Sequence, residues 1–333
     1  MKFKAAVIGC GRIASGFDDD PKRKKIATHI GAYQHARGID VVAVCDVDPK
    51  LAEAVAMKRD IKTFYTDYLK MLREQKPDVV SVCTPPQTHA KIVSDIARQG
   101  LAKAIFCEKP MAASLKEARA MIDICKRRRI ILQIGHQRRF NRANRVIQET
   151  INSGAWGKVQ RANFYYTAGA RNTGSHMFDL LCFFFGDADW VQAHASHNPS
   201  HRADDPNLDG FVHFKSGLLA SFQALDHKQY LVFELDCFFE KARLTIKRSG
   251  LETEFYKVTD SRFFSGYREL EKAALPFKTN DDESLMVRGV EEIIACVKTG
   301  RESISSGKDG LAAMELMELS LKSARQGGKR IGL

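Results

Sequence analysis

Residues Lys4–Ala14, Lys-Ala-Ala-Val-Ile-Gly-Cys-Gly-Arg-Ile-Ala, constrain this chain more than any other stretch. Ala5–Ile8 is an uninterrupted apolar run, the pattern of a strand buried on both faces. Gly9 and Gly11 follow at once, and Ala14 stands three residues further on. A Gly-x-Gly-x-x-Ala turn lets the backbone bend sharply and approach a pyrophosphate. The third small residue keeps the next helix close to the strand, with its N-terminus facing the phosphates. The same turn also serves as a plain strand-to-helix connection without ligand. Context decides between the two, because a β–α alternation continues from it to Ile134.

Within that alternation, Gly16–Lys25 contains Pro21 and a run of charges. It cannot continue a helix cleanly and reads as an insertion in the first crossover. A helix resumes from Thr28 to Arg37, and Val41–Cys45 is the second buried strand, ending at Asp46. An acidic residue there accepts hydrogen bonds from both ribose hydroxyls of an adenosine and repels a 2′-phosphate. Its distance from the glycines exceeds the usual ~20 residues, and removing the inserted loop restores the spacing approximately. Asp46 can equally cap the turn before Val47-Asp48-Pro49. Pro49–Lys58 and Asp67–Glu74 read as helices and Val79–Cys83 as a strand, closed by Thr84-Pro85-Pro86. Thr88 is placed to cap a helix His89–Gln99. Strand Ala104–Cys107 runs directly into Glu108-Lys109-Pro110, before a helix Ser114–Lys126 and a strand Ile130–Ile134. Parallel strands joined by helices predict a doubly wound sheet with ligands at the carboxyl ends of the strands. Gly9, Asp46, Thr84 and Lys109 all fall at such ends.

Beyond Gly135 the pattern changes. Gly157–Tyr166, Trp190–His197, Asp209–Phe214, Gly217–Ala224, Phe233–Phe239 and Ala242–Ile246 read as strands at hairpin spacing. The fold class expected is therefore α/β, a doubly wound domain over 1–135 followed by an α+β domain over 136–333 with a large, mainly antiparallel sheet. Asn198–Asn207 reads as a loop and Asp260–Asp282 as irregular. Helices Glu283–Thr299 and Asp309–Arg325, placed to pack back on the first domain, precede a short strand Arg330–Leu333. Leu231–Phe239 is apolar at consecutive positions, which suggests burial on both sides and a homodimer or homotetramer formed through the sheet.

One helix of the second domain carries a polar stripe. In the segment from Asn172 to Phe185, apolar nearly all round from Met177 on, Asn172, His176 and Asp179 stand at spacings of four and three. Such a stripe turns toward a cavity or a polar partner. Asn172 also suits an N-cap, and His176 also suits a satisfied core histidine.

Composition bounds the function. A length of 333 residues suits two domains, and 28% charged residues with 44% hydrophobic describe a globular protein. No apolar run approaches the ~20 residues of a bilayer span, and Ala5–Cys10 is too short for a signal peptide, so a cytoplasmic protein without membrane contact is expected. The eight cysteines lie mostly in apolar runs without Cys-x-x-Cys spacing, which suggests reduced core residues and no metal. The net charge of +12 comes without any known nucleic-acid module. It fits a solvated surface or an anionic small-molecule substrate, not a nucleic-acid partner.

Taken together, Gly9-Cys-Gly-Arg-Ile, Cys45-Asp-Val-Asp-Pro, Thr84-Pro-Pro-Gln-Thr-His89, Cys107-Glu-Lys-Pro110, Gln137-Arg-Arg-Phe140 and Gly174-Ser-His-Met-Phe-Asp179 resemble the glucose–fructose oxidoreductase, inositol dehydrogenase and rhizopine-catabolism (Gfo/Idh/MocA) family. The terminal Gly307-Lys-Asp-Gly-Leu and Ser323-Ala-Arg-Gln-Gly also fit. The resemblance implies a Rossmann domain binding NAD(P) and a second domain whose open sheet often mediates oligomers. It implies cofactor contacts at Gly9, Gly11, Arg12, Ile13, Asp46, Thr84, Pro85, His89, Glu108 and Lys109. By position, Lys109 becomes the lysine that contacts the reacting hydroxyl and the nicotinamide ribose, and His176 the proton acceptor. The family commonly has Asp four residues before that histidine, where this chain has Asn172. Asparagine can bind substrate or orient the imidazole but cannot act as a base.

These residue types suit the chemistry on physical grounds. Hydride leaves a carbinol carbon as the hydroxyl proton is lost. A histidine with an ordinary pKa near ~6.5 takes that proton at neutral pH, and a lysine ammonium stabilises the developing alkoxide. The expectation is an NAD-dependent sugar dehydrogenase, NADP being disfavoured by Asp46. A catalytically silent sensor of the same fold is the alternative. Arg138, Arg139, Arg171 and Lys158 flank the catalytic elements, and arginine forks suit carboxylate or phosphate oxygens. Arg139, Arg171 and Asp179 are therefore expected at the substrate, an anionic or nucleotide-linked sugar. Arg138 and Arg139 are equally suited to structural ion pairs.

Overall fold

Alternating buried strands and capped helices build the first of two structural units. The computed structural model describes residues 2–278 and 284–333. The chain divides into Met1–Asn141 with Asp282–Leu311, and Arg142–Asp281 with Ala312–Leu333. In the first unit, strands β1 (Phe3–Ile8), β2 (Ile39–Cys45), β3 (Phe64–Tyr65), β4 (Val79–Val82), β5 (Ala104–Cys107) and β6 (Ile131–Ile134) form one parallel sheet in the order β3-β2-β1-β4-β5-β6. Val7 of β1 pairs with Val44 on one side and Ser81 on the other. Strands β4 and β5 are buried at every position, as helices on both faces require.

The crossovers are helices α1 (His29–His35), α2 (Pro49–Lys58), α3 (Tyr68–Gln75), α4 (Pro86–Gln99) and α5 (Leu115–Arg127). Thr28, Asp48, Asp67 and Ser114 cap α1, α2, α3 and α5 by accepting from first-turn amides, each worth about 1 kcal/mol. Helix α4 differs from expectation. It starts at Pro86, with Pro85 as N-cap, so Thr88 lies inside its first turn and not at its cap. The Thr88 hydroxyl instead bonds the Thr84 hydroxyl at 2.7 Å and the Pro85 carbonyl at 2.8 Å.

The second unit opens with α6 (Arg142–Ser153), a helix the sequence reading passed over. Strand β7 (Val159–Tyr166) and helix α7 (Gly174–Phe185) follow, then β8 (Ala188–Ala195), β9 (Leu208–Phe214), β10 (Leu219–Ala224), β11 (Phe233–Phe239), β12 (Ala242–Lys247), β13 (Glu252–Asp260) and β14 (Arg268–Ala273). With β15 (Ile331–Gly332) they make a nine-stranded sheet in the order β14-β13-β12-β11-β7-β10-β9-β8-β15. Every pairing is antiparallel except β10 with β7. Arg268–Ala273 corrects the expectation of irregular structure after Asp260, where polar residues alternate with few apolar ones and give little strand signal.

The two-sided burial expected at Leu231–Phe239 is also corrected. Phe233, Leu235, Cys237 and Phe239 are buried while Glu234, Asp236 and Phe238 are only half-buried, and Leu231 is 69% exposed. The outer face is polar and aromatic. Arg243 binds Asp236 through two bonds of 2.9 and 2.8 Å and lies over the rings of Phe238 and Tyr256.

Two helices complete the chain. Helix α8 (Leu285–Thr299) belongs to the first unit, where Met286, Val290 and Ile293 share its core with Ile30, Tyr33, Phe106 and Phe140. Its expected first residue, Glu283, lies outside the described residues. Helix α9 (Gly307–Arg325) begins in the first unit and ends in the second. No helix among the described residues is long and apolar enough to cross a membrane.

Candidate active site

The glycine turn after β1 separates two demands. Gly9 has φ +90°, and its amide donates to the Cys45 carbonyl at 2.8 Å. A Cβ there would stand 2.8–2.9 Å from the Cys83 carbonyl and the Thr84 nitrogen, so the close approach of β1 and β4 requires glycine. Gly11 is different, since a Cβ there would meet no atom within 4 Å. Packing does not explain Gly11, whereas an approaching pyrophosphate does. The residues present therefore fit a dinucleotide.

Asp46, half-buried at the end of β2, caps the turn that follows and also reaches the glycine turn. One carboxylate oxygen accepts from the Cys10 amide of the glycine turn at 2.7 Å, and the other caps Asp48 at 3.0 Å. The insertion folds against the same turn. Its Phe17 ring has the Arg12 guanidinium 4.7 Å from its centroid and the Arg23 guanidinium 4.4 Å away. The Ile13 side chain packs on the core.

At the ends of β4 and β5, two residues expected at the cofactor turn inward. His89 is buried, and its ring nitrogens lie 2.6 Å from the Thr84 carbonyl and 3.0 Å from the Pro110 carbonyl. It ties the β4–α4 connection, Thr84 and Pro85 included, to the cis Lys109–Pro110 peptide. Glu108 is also buried, with His29 Nε2 on Oε1 at 2.9 Å and the Lys109 amide on Oε2 at 3.2 Å. Burial pushes the Glu108 carboxyl up, but the His29 hydrogen bond and the neighbouring positive charges outweigh it and leave the group below its ordinary value. A Cβ at Gly135 would come within 2.7–2.9 Å of this carboxylate, which accounts for glycine there. His89 and Glu108 thus shape the loop that carries Lys109, and Lys109 itself is half-buried.

Arg139 is buried as well. Its side chain is 5% exposed and paired with Asp309 at 2.8 Å, which favours the structural ion pair over the substrate role.

In the second unit, α7 emerges from a π-helical turn, Gly169–Thr173. The amides of this helical start are all satisfied by three consecutive residues. Asn207 Oδ1 accepts from Gly169 at 2.8 Å, and the Pro206 carbonyl accepts from Ala170 at 3.1 Å. The Asp205 carboxylate accepts from Arg171 at 2.7 Å and Asn172 at 3.0 Å. Asp205 was missed in the sequence because its partners lie 33 and 34 residues away, with only the Asp-Pro-Asn triplet as a signal. Asn172 is exposed within the π turn and is not the N-cap, a place taken by Thr173. His176 is half-exposed. Asp179, expected at the substrate, is only 1% exposed. Arg171 is half-exposed and bonds Glu318 at 3.2 Å.

Comparison with known proteins agrees with both units. Residues 3–136 match the GFO_IDH_MocA model, described as "Oxidoreductase family, NAD-binding Rossmann fold". The chain is 27% identical to D-apiose dehydrogenase of Paraburkholderia graminis, covering 98% of this chain and 88% of that one. It is 23% identical to inositol 2-dehydrogenase of Rhizobium meliloti, covering 98% of both. Among solved structures, the WlbA dehydrogenase of Bordetella pertussis, in complex with NADH and UDP-GlcNAcA, superposes with a TM-score of 0.79 at 21% identity, over 100% of this chain and 99% of that one. The glycine turn and the Glu108-Lys109-Pro110 loop thus lie in a stretch that matches the Gfo/Idh/MocA oxidoreductase family's NAD-binding Rossmann fold, and along its full length the chain is similar to sugar and inositol dehydrogenases.

Proposed function

We propose that the protein is an NAD-dependent dehydrogenase that oxidises a carbinol carbon of a sugar or sugar derivative. The observation that carries this reading is the pair of glycines after β1, one fixed by packing and the other facing open space, with Asp46 at the next strand end. NAD supplies the hydride acceptor when bound. Gly11 lets the backbone approach its pyrophosphate, and the Asp46 carboxylate disfavours a 2′-phosphate. Tighter binding of NADP than of NAD in a titration would overturn that preference.

Lys109 donates a hydrogen bond to the reacting oxygen and stabilises negative charge developing there. His176 takes the hydroxyl proton, and Asn172 orients substrate or imidazole. In this reading 1–135 binds the cofactor and 136–333 the substrate. The substrate we favour is anionic, a sugar acid or a nucleotide-linked sugar. The net charge of +12 and the half-exposed Arg171 beside α7 support that choice, although Arg171 already holds Glu318. Reduction of NAD measured against neutral sugars, uronates and nucleotide sugars tests it. Activity confined to neutral polyols and unaffected by Arg171→Ala would sink the anionic substrate, and full turnover by Lys109→Ala would remove the lysine from the chemistry.

We further propose a cytoplasmic homodimer or homotetramer assembled through the outer face of the nine-stranded sheet. Its Arg243, Phe238 and Tyr256 cluster supports an interface that mixes aromatic and charged contacts. A monomeric mass in light scattering at micromolar concentration would contradict it.

A further inference from the structure

A continuous row of buried hydrogen bonds ends at the backbone of Lys109. The Tyr33 hydroxyl lies 2.8 Å from Ser81 Oγ, which lies 2.9 Å from His29 Nδ1. His29 Nε2 is 2.9 Å from Glu108 Oε1, and Glu108 Oε2 accepts from the Lys109 amide at 3.2 Å. Tyr33, Ser81 and His29 are 0% exposed and Glu108 is 6% exposed. A carboxylate offers only acceptors, so Nε2 carries a hydrogen whether His29 is neutral or charged. If it is neutral, Nδ1 accepts from Ser81 and Ser81 accepts from Tyr33. If it is charged, the two outer bonds reverse. In both states Glu108 receives a donor on each oxygen and stays ionised.

Titratable groups that also interact with Glu108 include Cys83, Cys107, His89 and Lys109. Burial pushes both thiols and His89 away from their charged forms. Lys109 is a cation that feels the charge of Glu108. A fold that needed only shape here would use a neutral side chain, because burying a carboxylate without donors is costly. This one supplies a histidine, a serine and a tyrosine, and leaves Gly135 without a side chain to make room.

We infer that Glu108 is a positioning residue for Lys109, held at the root of the lysine by His29, Ser81 and Tyr33, whose negative charge stabilises the ammonium that serves the reacting oxygen. The inference rests on the role proposed above for Lys109, but its test is separate. Reductive ¹³C-methylation of the full-length protein gives each lysine an NMR signal whose shift titrates with pH, and Lys109 is assigned by its loss in Lys109→Arg. Glu108→Gln keeps the shape and removes the charge. Its Lys109 signal should titrate about one pH unit lower than in the wild type, since a neighbouring opposite charge shifts a titration by roughly 1–3 units. NADH binding, followed by fluorescence, should change by no more than about threefold because the glycine turn is untouched. Ser81→Ala deletes one hydroxyl of the row and should lower the same titration by a few tenths of a unit. It carries the test alone if Glu108→Gln does not fold. An unchanged Lys109 titration in the folded variants overturns the inference. Full turnover by Lys109→Ala would instead overturn the role of the lysine and leave the titration result standing.

Discussion

Alanine at Gly9 and at Gly11 should have opposite consequences, although the residues stand two apart in one motif. At Gly9 two costs add. An L-residue at φ +90° loses about 1–2 kcal/mol to clash between Cβ and the following carbonyl. Its Cβ would also meet three backbone atoms at 2.8–2.9 Å. Ordinary carbon contacts are about 3.5–4.0 Å, and forcing extra volume into a packed site costs roughly 1–3 kcal/mol. Backbone cannot swing aside like the tip of a side chain, so the sum is about 2–5 kcal/mol. For a unit of this size that lowers Tm by roughly 5–15 °C. At Gly11 the added methyl meets nothing within 4 Å, and Tm should stay within about 2 °C of the wild type. The methyl instead fills the space the pyrophosphate needs, so the Kd for NADH should rise about tenfold or more, equivalent to ~1.4 kcal/mol. Thermal melts and NADH fluorescence titrations on both variants decide the matter. A Gly9→Ala protein that melts like the wild type, or a Gly11→Ala protein that binds NADH as tightly, would refute the division of labour.

Three further outcomes are expected. Arg139→Ala leaves Asp309 without its partner and should cost about 2–4 kcal/mol in denaturant unfolding, with no change in the KM for the sugar beyond twofold; a large KM effect would return Arg139 to the substrate. Asp205→Ala removes the acceptor for two amides at the start of the helical segment bearing Asn172 and His176, and should destabilise the protein by about 2–3 kcal/mol, while Asp205→Asn, which keeps one acceptor oxygen, should lose less. Glu108 is more acidic in the fold than in the unfolded chain, so it stabilises the protein above the unfolded value near ~4.3, and that contribution disappears as pH falls through the lower, folded value. Glu108→Gln should therefore flatten the acid limb of the stability curve below about pH 4.3, and an unaltered limb would contradict the assignment.

Much of the first unit was legible because its signals are local. Buried strands read as unbroken apolar runs, Thr28, Asp48, Asp67 and Ser114 cap the helices that follow them, and the strand ends fall where Gly9, Asp46, Thr84 and Lys109 stand. What escaped was set by distant partners. His89 and Glu108 sit in the right motifs, yet their side chains are engaged by Pro110 and His29, 21 and 79 residues away. Asp179 shares a helical stripe with His176 but faces the core, since a spacing of three along a nearly all-apolar helix does not fix which side meets solvent. Helix α6 was lost for the opposite reason. Arg142–Ser153 is mostly polar, and its few buried residues, Ala143, Asn144 and Ile147, give a faint stripe. Strand β11 was read as two-sided because Phe238 interrupts the polar positions of an otherwise alternating row.

The most direct measurement is the absorbance of reduced nicotinamide formed when the purified protein meets NAD and a panel of neutral sugars, uronates and nucleotide-linked sugars. Steady formation of NADH with at least one sugar, lost in Lys109→Ala and in His176→Ala while both variants still bind NADH, is the expected result. A protein that binds NAD tightly yet reduces none with any sugar on the panel would contradict a dehydrogenase and favour a sensor built on the same fold.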